Sequence, residues 1–455
     1  MATAGPAGED GREAARADGT GDSAHSRPAT PENRRAPNLR AALTDRLVAE
    51  GAIATPRVAA AFRTVPRHRF APGLPLERAY ANQVVFVKRD RSGMPTSSVS
   101  APDIQAIMLE QAAIEPGMRL LEIGSGGYNA ALMAELAGPG GEVTTVDIDA
   151  DVAARARACL DDAGYREVRV LTADAEGGVP AHAPYDRIVV TVEAWDLPPA
   201  WARQLTPHGR LVVPLRLRGL TRSVAFDRVA GQAGESGGDH LVSRSARMCG
   251  FVKMQGAGHH ADEELVLNGG DLSLEADDVH ALPGEARIEG LLRTGRVERW
   301  SEVRVWRWEP WDTLPLWLAT AFPGYCQLTV HIPGAPAVPG PPDAPGTEPL
   351  EPALRSGTPA VATESAFAHL TARPRPDGRI ELGAHAFGPD AESLAAELVG
   401  LTAAWNRDHR FGPPPTITAW PIDAPAPAAD LVVVKKHVRL AVDWPGTTTR
   451  AWNSD

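Results

Sequence analysis

One segment constrains the fold of this chain more than any other: an apolar run passes through a glycine-rich turn and directly into a helical pattern. The run covers residues 120–123, the turn contains Gly124, Gly126 and Gly127, and the helical pattern begins at Tyr128. Glycines are needed in such a turn because the backbone must bend tightly and let a ligand approach without a Cβ in the way. The segment therefore predicts a strand, a ligand-binding turn and a helix in direct succession.

Strand-length apolar runs alternate with helical patterns after this turn, which is typical of a parallel sheet covered by helices on both faces. The predicted strands are 119–123, 142–148, 168–172, 185–192 and 210–214, and the predicted helices are 102–114, 128–136, 151–163 and 198–205. Helices are also predicted at 39–51 and at 56–65, the second with Thr55 as its N-cap and Pro56 at its first position. Strands at 223–228 and 240–251, joined by a flexible loop at 231–238, are predicted to close this region.

The chain of 455 residues is too long for one ordinary hydrophobic core, and its composition changes along its length. We predict a disordered tail at 1–37, an α/β domain with a Rossmann-like core at 38–258, and an accessory α+β domain at 259–455. Within the accessory domain we expect a Pro- and Gly-rich exposed loop at 333–359, helices at 314–320 and 390–406, and a strand at 431–434. Five tryptophans between 300 and 317 leave two interpretations open, a packed core or a peptide-binding groove.

Charge and composition argue against several functions. The formal net charge of −11 gives no basic face for phosphates, so no nucleic-acid partner is expected. No apolar stretch has the length of a membrane span or the pattern of a signal peptide, so we expect a cytoplasmic protein with no membrane partner. The three cysteines are far apart and His259-His260 has no third ligand at suitable spacing, so no metal site is predicted. Lys435-Lys436-His437 is expected to be a solvated strand end.

Acidic residues at the ends of the next two strands indicate the class of ligand. Asp147 lies about 20 residues beyond the turn, where a carboxylate can accept both hydroxyls of a ribose. Asp174 suits the amino group of an adenine. A dinucleotide site would need a third glycine so that pyrophosphate can lie on the helix N-terminus, but Asn129 occupies that position. S-adenosylmethionine has no phosphate, and Glu122 can face its cationic methionine portion.

We therefore predict S-adenosylmethionine as the cofactor, with S-adenosylhomocysteine as its product, and we regard a nicotinamide oxidoreductase as a weaker alternative. The predicted cofactor-binding residues are Ser98, Val99, Glu122, Gly124, Ser125, Gly126, Gly127, Asn129, Asp147, Ile148, Asp174 and Ala175.

Several further motifs extend this prediction to a family. Val65-Pro66-Arg67-His68-Arg69-Phe70, Ala79-Tyr80, Ser98-Val99-Ser100-Ala101-Pro102, Asp147-Ile148-Asp149, the run 185–191 and Gly209-Arg210-Leu211-Val212-Val213-Pro214 are the motifs concerned. In order and spacing they resemble the protein-L-isoaspartate O-methyltransferase family over residues 39–214. The chain departs from that family in a glycine turn one residue shorter, in Ala101, and in Val192-Glu193-Ala194-Trp195-Asp196, which replaces a loop of small residues.

The later part of the chain resembles the FxLD-system subgroup of that family, on the stretches 249–253, 316–320 and 435–439. This resemblance implies a partner that is a ribosomally made precursor peptide of the lanthipeptide or graspetide type, which can enter the reaction already cyclised. It implies methylation of an aspartate side chain, followed by attack of a backbone nitrogen on the ester to form an aspartimide, which can hydrolyse to isoaspartate.

A carboxylate with a pKa of about 3.9 is ionised at neutral pH, so its methylation needs no general base. Positioning is the main requirement, and Ser100 is the predicted catalytic residue, donating a hydrogen bond that orients the reacting carboxylate. Tyr80 and Ser100 are the predicted substrate-binding residues. A purely structural alternative for Ser100 is that it caps the helix that begins at Pro102. Two other functions stay open, a repair enzyme for isoaspartyl residues and an inactive module that binds cofactor and peptide.

Overall fold

The computed structural model describes residues 31–231, 239–261, 264–306, 309, 311–331, 357–425 and 427–446. Its helices are α1 (Pro31–Ala49), α2 (Pro56–Thr64), α3 (Leu76–Ala79), α4 (Pro102–Ala112), α5 (Tyr128–Ala137), α6 (Ala150–Ala163), α7 (Pro199–Gln204), α8 (Glu285–Leu292), α9 (Thr313–Ala321) and α10 (Ala391–Asp408). Its strands up to the middle of the chain are β1 (Val85–Arg89), β2 (Pro95–Val99), β3 (Arg119–Ile123), β4 (Glu142–Asp147), β5 (Arg169–Thr172), β6 (Tyr185–Val190), β7 (Leu205–Leu217), β8 (Leu220–Val229) and β9 (His240–Met248). The later strands are β10 (Glu264–Leu267), β11 (Leu272–Glu275), β12 (Val297–Val305), β13 (Tyr325–Val330), β14 (Thr358–Ala362), β15 (Phe367–Pro374), β16 (Ile380–Phe387), β17 (Thr416–Pro421), β18 (Leu431–Val434) and β19 (Val438–Asp443).

The predicted parallel sheet forms one half of a larger sheet of ten strands, with β5 at its edge. Its order is β18-β19-β17-β9-β8-β7-β6-β3-β4-β5, and the five strands from β7 to β5 run parallel. The chain builds β3, β4 and β5 toward one edge and then returns to place β6 and β7 on the other side of β3. This reversal makes the border between β3 and β6 the topological switch point, where open α/β sheets bind ligands. The predicted α/β fold class is confirmed.

Local sequence signals place the helices of this region well. The hydroxyl of Thr55 accepts a hydrogen bond from the Val58 amide, as expected of an N-cap, and α2 starts at Pro56. Helix α1 begins at Pro31, earlier than the expected start of order at residue 38. Proline is favourable at the first helical position because the amide hydrogen it lacks would have no partner there. The remainder of the expected tail, residues 1–30, lies outside the described residues.

The range predicted as an accessory domain divides between two sheets. Strands β10 to β16 form an antiparallel sheet of seven strands, in the order β10-β11-β13-β14-β15-β16-β12, and α10 packs against three of them. Strands β17, β18 and β19 instead extend the ten-stranded sheet, because β17 pairs with β9 through Thr418 opposite Val242 and Ala419 opposite Leu241. The expected boundary near residue 258 therefore does not separate the two sheets.

The apolar core also crosses that boundary. One cluster of buried side chains includes Ile188 and Leu211 from the parallel sheet together with Leu318 and Trp405 from the later helices. A second cluster covers the opposite face of the sheet with α1, α2, α4 and α5. The interface between the two parts of the chain is thus a hydrophobic one rather than a linker contact.

Several predictions for the later part need correction. The expected Pro/Gly-rich loop at 333–359 overlaps β14, which starts at Thr358 because that segment pairs with β13. Residues 332–356 of this region lie outside the described residues. Residues 232–238 of the other predicted loop also lie outside them. The guanidinium carbon of Arg373 lies 3.9 Å from the ring centre of Trp300. The indole nitrogen of Trp317 donates a hydrogen bond to the Leu401 carbonyl at 3.0 Å. These two tryptophans are packing residues; Trp308 lies outside the described residues.

Within the described ranges, every helix is too short or too polar to cross a membrane.

Candidate functional site

The predicted site lies where the parallel strands β3, β4 and β5 end. Ile123 is in register with Val146, and Asp147 is in register with Thr172, so the three strand ends lie side by side. Asp147 is the last residue of β4, and Asp174 follows β5 by two residues. The structure thus brings the glycine turn and both predicted carboxylates to one edge of the sheet.

The glycine turn requires glycine for two reasons. Gly124 has φ +95° and its amide donates to the Val146 carbonyl at 2.8 Å. A Cβ there would lie 2.7 Å from the Thr191 hydroxyl oxygen, which itself donates to the Gly124 carbonyl at 2.7 Å. A Cβ on Gly126 would lie 3.3 Å from the Ser98 carbonyl. The turn is therefore held from one side by the end of β6 and covered on another by β2.

Asp147 is fixed by backbone amides rather than by a cation. Its two carboxylate oxygens accept from the amides of Ser125 and Asp149, each at 2.9 Å. Burial raises the pKa of this carboxyl, while the two amide hydrogen bonds lower it. Each oxygen keeps a further lone pair, which is what the predicted pair of bonds to ribose hydroxyls needs.

Two buried polar atoms beside the turn have no hydrogen-bond partner of normal geometry among the described residues: Oε1 of Glu122 and Oγ of Ser125. The other oxygen of Glu122 accepts from the Thr145 hydroxyl at 2.5 Å. Burial raises the pKa of Glu122 to about 7, against the lowering effect of Thr145 and Asn129. A buried polar atom without a partner requires an explanation, and a ligand that completes its hydrogen bonds is one. A ligand with a cationic end beside Glu122 fits both atoms, and this is the chemistry of the methionine portion of S-adenosylmethionine.

Asp174 has a neighbour that the sequence did not reveal. One of its carboxylate oxygens accepts from the Glu176 amide at 2.9 Å, and the other accepts from the Ala257 amide at 2.8 Å. Ala257 belongs to residues 252–258, which we call the strap. A Cβ on Gly256 of the strap would lie 2.3 Å from an Asp174 oxygen and 2.5 Å from the Ile148 Cδ1. The strap therefore packs against Asp174, which is predicted to hold the adenine, and against Ile148, another predicted cofactor-binding residue.

The structural alternative for Ser100, that its hydroxyl caps α4, is wrong. The N-cap of α4 is Ala101, with no side-chain hydrogen bond, so the Ser100 hydroxyl does not cap this helix. The Ser100 carbonyl instead accepts from Arg67 at 2.9 Å. Arg67 is fully buried and also donates to the Ala79 carbonyl and to Gln105, both at 3.0 Å. No charge pattern in the sequence marks Arg67 as the residue that holds this segment in place, although it stands in a motif shared with the family.

Four further predicted site residues differ in their contacts and in how far they are buried. The Tyr80 hydroxyl is hydrogen-bonded to the His68 ring nitrogen Nδ1 at 2.8 Å, and burial raises the pKa of Tyr80. Val99 and Ala175 are buried against the site, whereas Ile148 is partly exposed. Across the described ranges, no three His, Cys, Asp or Glu side chains lie close enough to hold a metal ion.

The prediction that residues 435–437 form a solvated strand end is wrong for Lys435. Its side chain is fully buried and its ammonium binds Asp277 at 3.0 Å, so it is not a solvated strand end. Its Nζ lies 3.3 Å from the ring centre of Trp195, on which His260 also stacks at 3.5 Å. The sequence showed only a short basic run, because the partners are far away along the chain.

Known proteins match the part of the chain that carries this site. A sequence model of the family described as protein-L-isoaspartate(D-aspartate) O-methyltransferase matches residues 38–242. The chain is 44% identical over 160 residues to the protein-L-isoaspartate O-methyltransferase of Methanococcoides burtonii, covering 35% of this chain and 76% of the relative. It is 42% identical over 175 residues to the enzyme of that name from Methanopyrus kandleri, covering 38% of this chain and 75% of the relative.

Solved structures give weaker matches. A protein-L-isoaspartate O-methyltransferase aligns with 83% of this chain and 96% of its own, with a TM-score of 0.45 and 21% identity. A structure from Plasmodium falciparum in complex with S-adenosyl-L-homocysteine aligns with 48% of this chain and 98% of its own, with a TM-score of 0.40 and 16% identity.

Proposed function

Since the chain belongs to the protein-L-isoaspartate O-methyltransferase family, we propose that it methylates the side-chain carboxylate of an aspartate in a ribosomally made precursor peptide of the lanthipeptide or graspetide type. S-adenosylmethionine is the methyl donor of such an O-methyltransferase. The proposal keeps the reaction of the family and changes the acceptor.

The single observation that carries the donor assignment is the combination of the glycine turn with Asp147 and the orphaned atoms of Glu122 and Ser125. Asp147 would hold the ribose hydroxyls, and Glu122 the cationic amino acid end. When bound, the cofactor supplies an electrophilic methyl group on sulfonium. The turn has no third glycine at position 129 for a pyrophosphate, which argues against a dinucleotide.

The chain's own residues need only orient and desolvate the acceptor. An aspartate carboxylate is already ionised at neutral pH, so the O–CH3 bond forms as the S–CH3 bond breaks and no proton moves. Ser100 is the proposed catalytic residue, donating a hydrogen bond to the acceptor carboxylate, and Arg67 holds the Ser100 segment through the Ser100 carbonyl. Tyr80 is proposed to contact the substrate from the same side.

The precursor-peptide acceptor is supported by the stretches that resemble the FxLD-system subgroup, the first of which, residues 249–253, leads into the strap. The strap lies beyond residue 242, where the match to the family ends, and it packs on the edge of the cofactor site. The run 192–196, which departs from the family, follows the end of β6 beside the switch point. After methylation, attack of the following backbone nitrogen on the ester carbonyl would form the aspartimide ring and release methanol.

Repair of isoaspartyl residues is the second candidate, and the relatives that match residues 38–242 favour it. The experiment that separates the two candidates uses the full chain with methyl-labelled S-adenosylmethionine. The acceptors are an isoaspartyl peptide, its aspartyl counterpart, and any short peptide encoded beside the gene.

For the precursor-peptide function we expect the neighbouring peptide to gain one methyl group and then to lose methanol. Efficient turnover of the isoaspartyl peptide without transfer to any aspartyl peptide would instead establish repair. Binding of S-adenosylhomocysteine without transfer to any acceptor would leave a cofactor-binding module.

A further inference from the structure

The strap crosses the cofactor edge of the sheet from one side to the other. At its start, the amide of Glu193 donates to the Val252 carbonyl at 2.8 Å and the amide of Met254 donates to the Glu193 carbonyl at 2.9 Å. Further along, the Gln255 side chain donates to the Thr96 carbonyl at 3.3 Å. The strap thus connects the end of β6 with β2, the strand that covers the glycine turn.

The far end of the strap is anchored to residues 192–196, the run that departs from the family. His260, just beyond the strap, stacks on Trp195 with ring centres 3.5 Å apart and planes within 6°. The Lys435 ammonium lies 3.3 Å from the same ring centre, so it must occupy the opposite face of the indole. Stacking and cation contact on both faces hold the indole in one orientation. Glu193 and Trp195 therefore fix the strap at both ends, and both belong to the run that departs from the family.

Between these anchors the strap meets the corner formed by Asp174 and Ile148. The Ala257 amide donates to one Asp174 oxygen, and the Glu176 amide donates to the other. Two amides on opposite oxygens set the rotation of a carboxylate, because each fixes one lone-pair direction. Gly256 packs so closely on this corner that any Cβ would collide with both side chains. Its φ of +73° also favours glycine.

From this geometry we infer that the strap is a specificity element of the cofactor site, which sets the Asp174 carboxylate so that one of its two remaining lone pairs receives the 6-amino group of adenine. This inference rests on the proposed use of S-adenosylmethionine. Glu176 alone leaves the carboxylate one fixed contact, and Ala257 supplies the second. The strap lies outside residues 38–242, the part of the chain that the family model matches.

The test compares two ligands by calorimetry on the full chain: S-adenosylhomocysteine and its deaminated analogue S-inosylhomocysteine, which lacks the 6-amino group. Because a hydrogen bond to a charged group is a strong one, the unsubstituted protein should prefer the adenosyl ligand by about tenfold or more. Gly256→Ala should reduce this preference to nearly one while keeping the affinity for the inosyl ligand. That retained affinity shows that the variant is folded.

The matched control is Gly250→Ala, on an exposed glycine just before the strap where a Cβ meets nothing within 4 Å; it should keep the full preference. If Gly256→Ala binds neither ligand, Ala257→Pro removes the donated amide hydrogen without adding a Cβ at Gly256, and it should give the same loss of preference with the inosyl ligand still bound. An unchanged preference in the folded variant would overturn the inference, and so would tighter binding of the adenosyl ligand, which would mean that the strap blocks the site. Failure of both ligands to bind the unsubstituted protein would refute the proposed cofactor instead.

Discussion

The buried carboxyl of Glu122 makes the stability of this protein depend on pH in a direction that can be measured. Glu122 has no exposed surface, and burial raises its pKa from 4.5 in the unfolded chain to about 7 in the folded protein. The folded protein therefore favours the protonated carboxyl. The contribution of Glu122 to the free energy of unfolding is greatest below pH 4.5 and is lost as the pH rises through 7.

The magnitude follows from the size of this change. A difference of one pKa unit corresponds to about 1.4 kcal/mol, so ionising Glu122 in the folded protein costs about 3 kcal/mol above pH 7. Glu122→Gln keeps an acceptor for the Thr145 hydroxyl and cannot ionise. We therefore expect the variant to gain about 3 kcal/mol over the unsubstituted protein between about pH 5 and about pH 8.

Thermal or urea unfolding of the cofactor-free proteins across this pH range measures the difference. Glu142→Gln, on the neighbouring strand β4, is the control, because Arg169 lowers the pKa of Glu142 and the variant should gain nothing at neutral pH. A difference between Glu122→Gln and the unsubstituted protein that does not change with pH would refute the reasoning. Added S-adenosylhomocysteine should narrow the difference at neutral pH, since its ammonium favours the ionised Glu122.

Three further substitutions test the site. Gly124→Ala should lower the free energy of unfolding by about 1–3 kcal/mol and weaken binding of S-adenosylhomocysteine, because its Cβ meets the Thr191 hydroxyl oxygen at 2.7 Å and its φ is +95°; equal urea midpoints would contradict this. Ser100→Ala should keep cofactor binding in calorimetry and lose most methyl transfer, and a variant with unchanged turnover would remove Ser100 from the mechanism. Arg67→Met leaves buried carbonyls without a donor and should cost about 3 kcal/mol or more in urea unfolding; a loss below about 1 kcal/mol would show that water replaces the guanidinium.

The central part of the fold could be predicted because its signals are local. The bounds of β3 agree with the prediction at both ends, and α5 begins at the predicted Tyr128, since the apolar run, the glycines and the helical pattern follow one another directly. Strand β7 is longer than predicted at both ends, because Leu205 pairs with Tyr185 of β6 and because the strand continues into a hairpin with β8 that ends at Leu217 and Leu220. A burial pattern within one strand does not reveal how far its partner extends.

Other features could not be predicted because they depend on partners that are remote in sequence. The pairing of β17 with β9 joins residues about 175 positions apart, and no turn signal marks such a contact. Asp174 was correctly placed at the end of β5, yet its second amide partner comes from Ala257, in a loop without periodicity. Lys435 stands in a short basic run that is typical of a protein surface, but the fold brings it into contact with Asp277 and Trp195.

The same remote contacts connect the part of the chain after residue 258 to the candidate site, so this part does not form a separate unit. Strand β9 leads into the strap, and β17 pairs with β9, so the last three strands extend the sheet next to the strand that carries the strap. Lys435, between β18 and β19, packs on Trp195, which in turn carries His260. A movement of the later strands must therefore displace either the pairing of β9 or the indole that fixes the end of the strap. Because the strap also contacts Asp174, the position of these strands and the shape of the proposed adenine site are coupled through a short chain of packed groups.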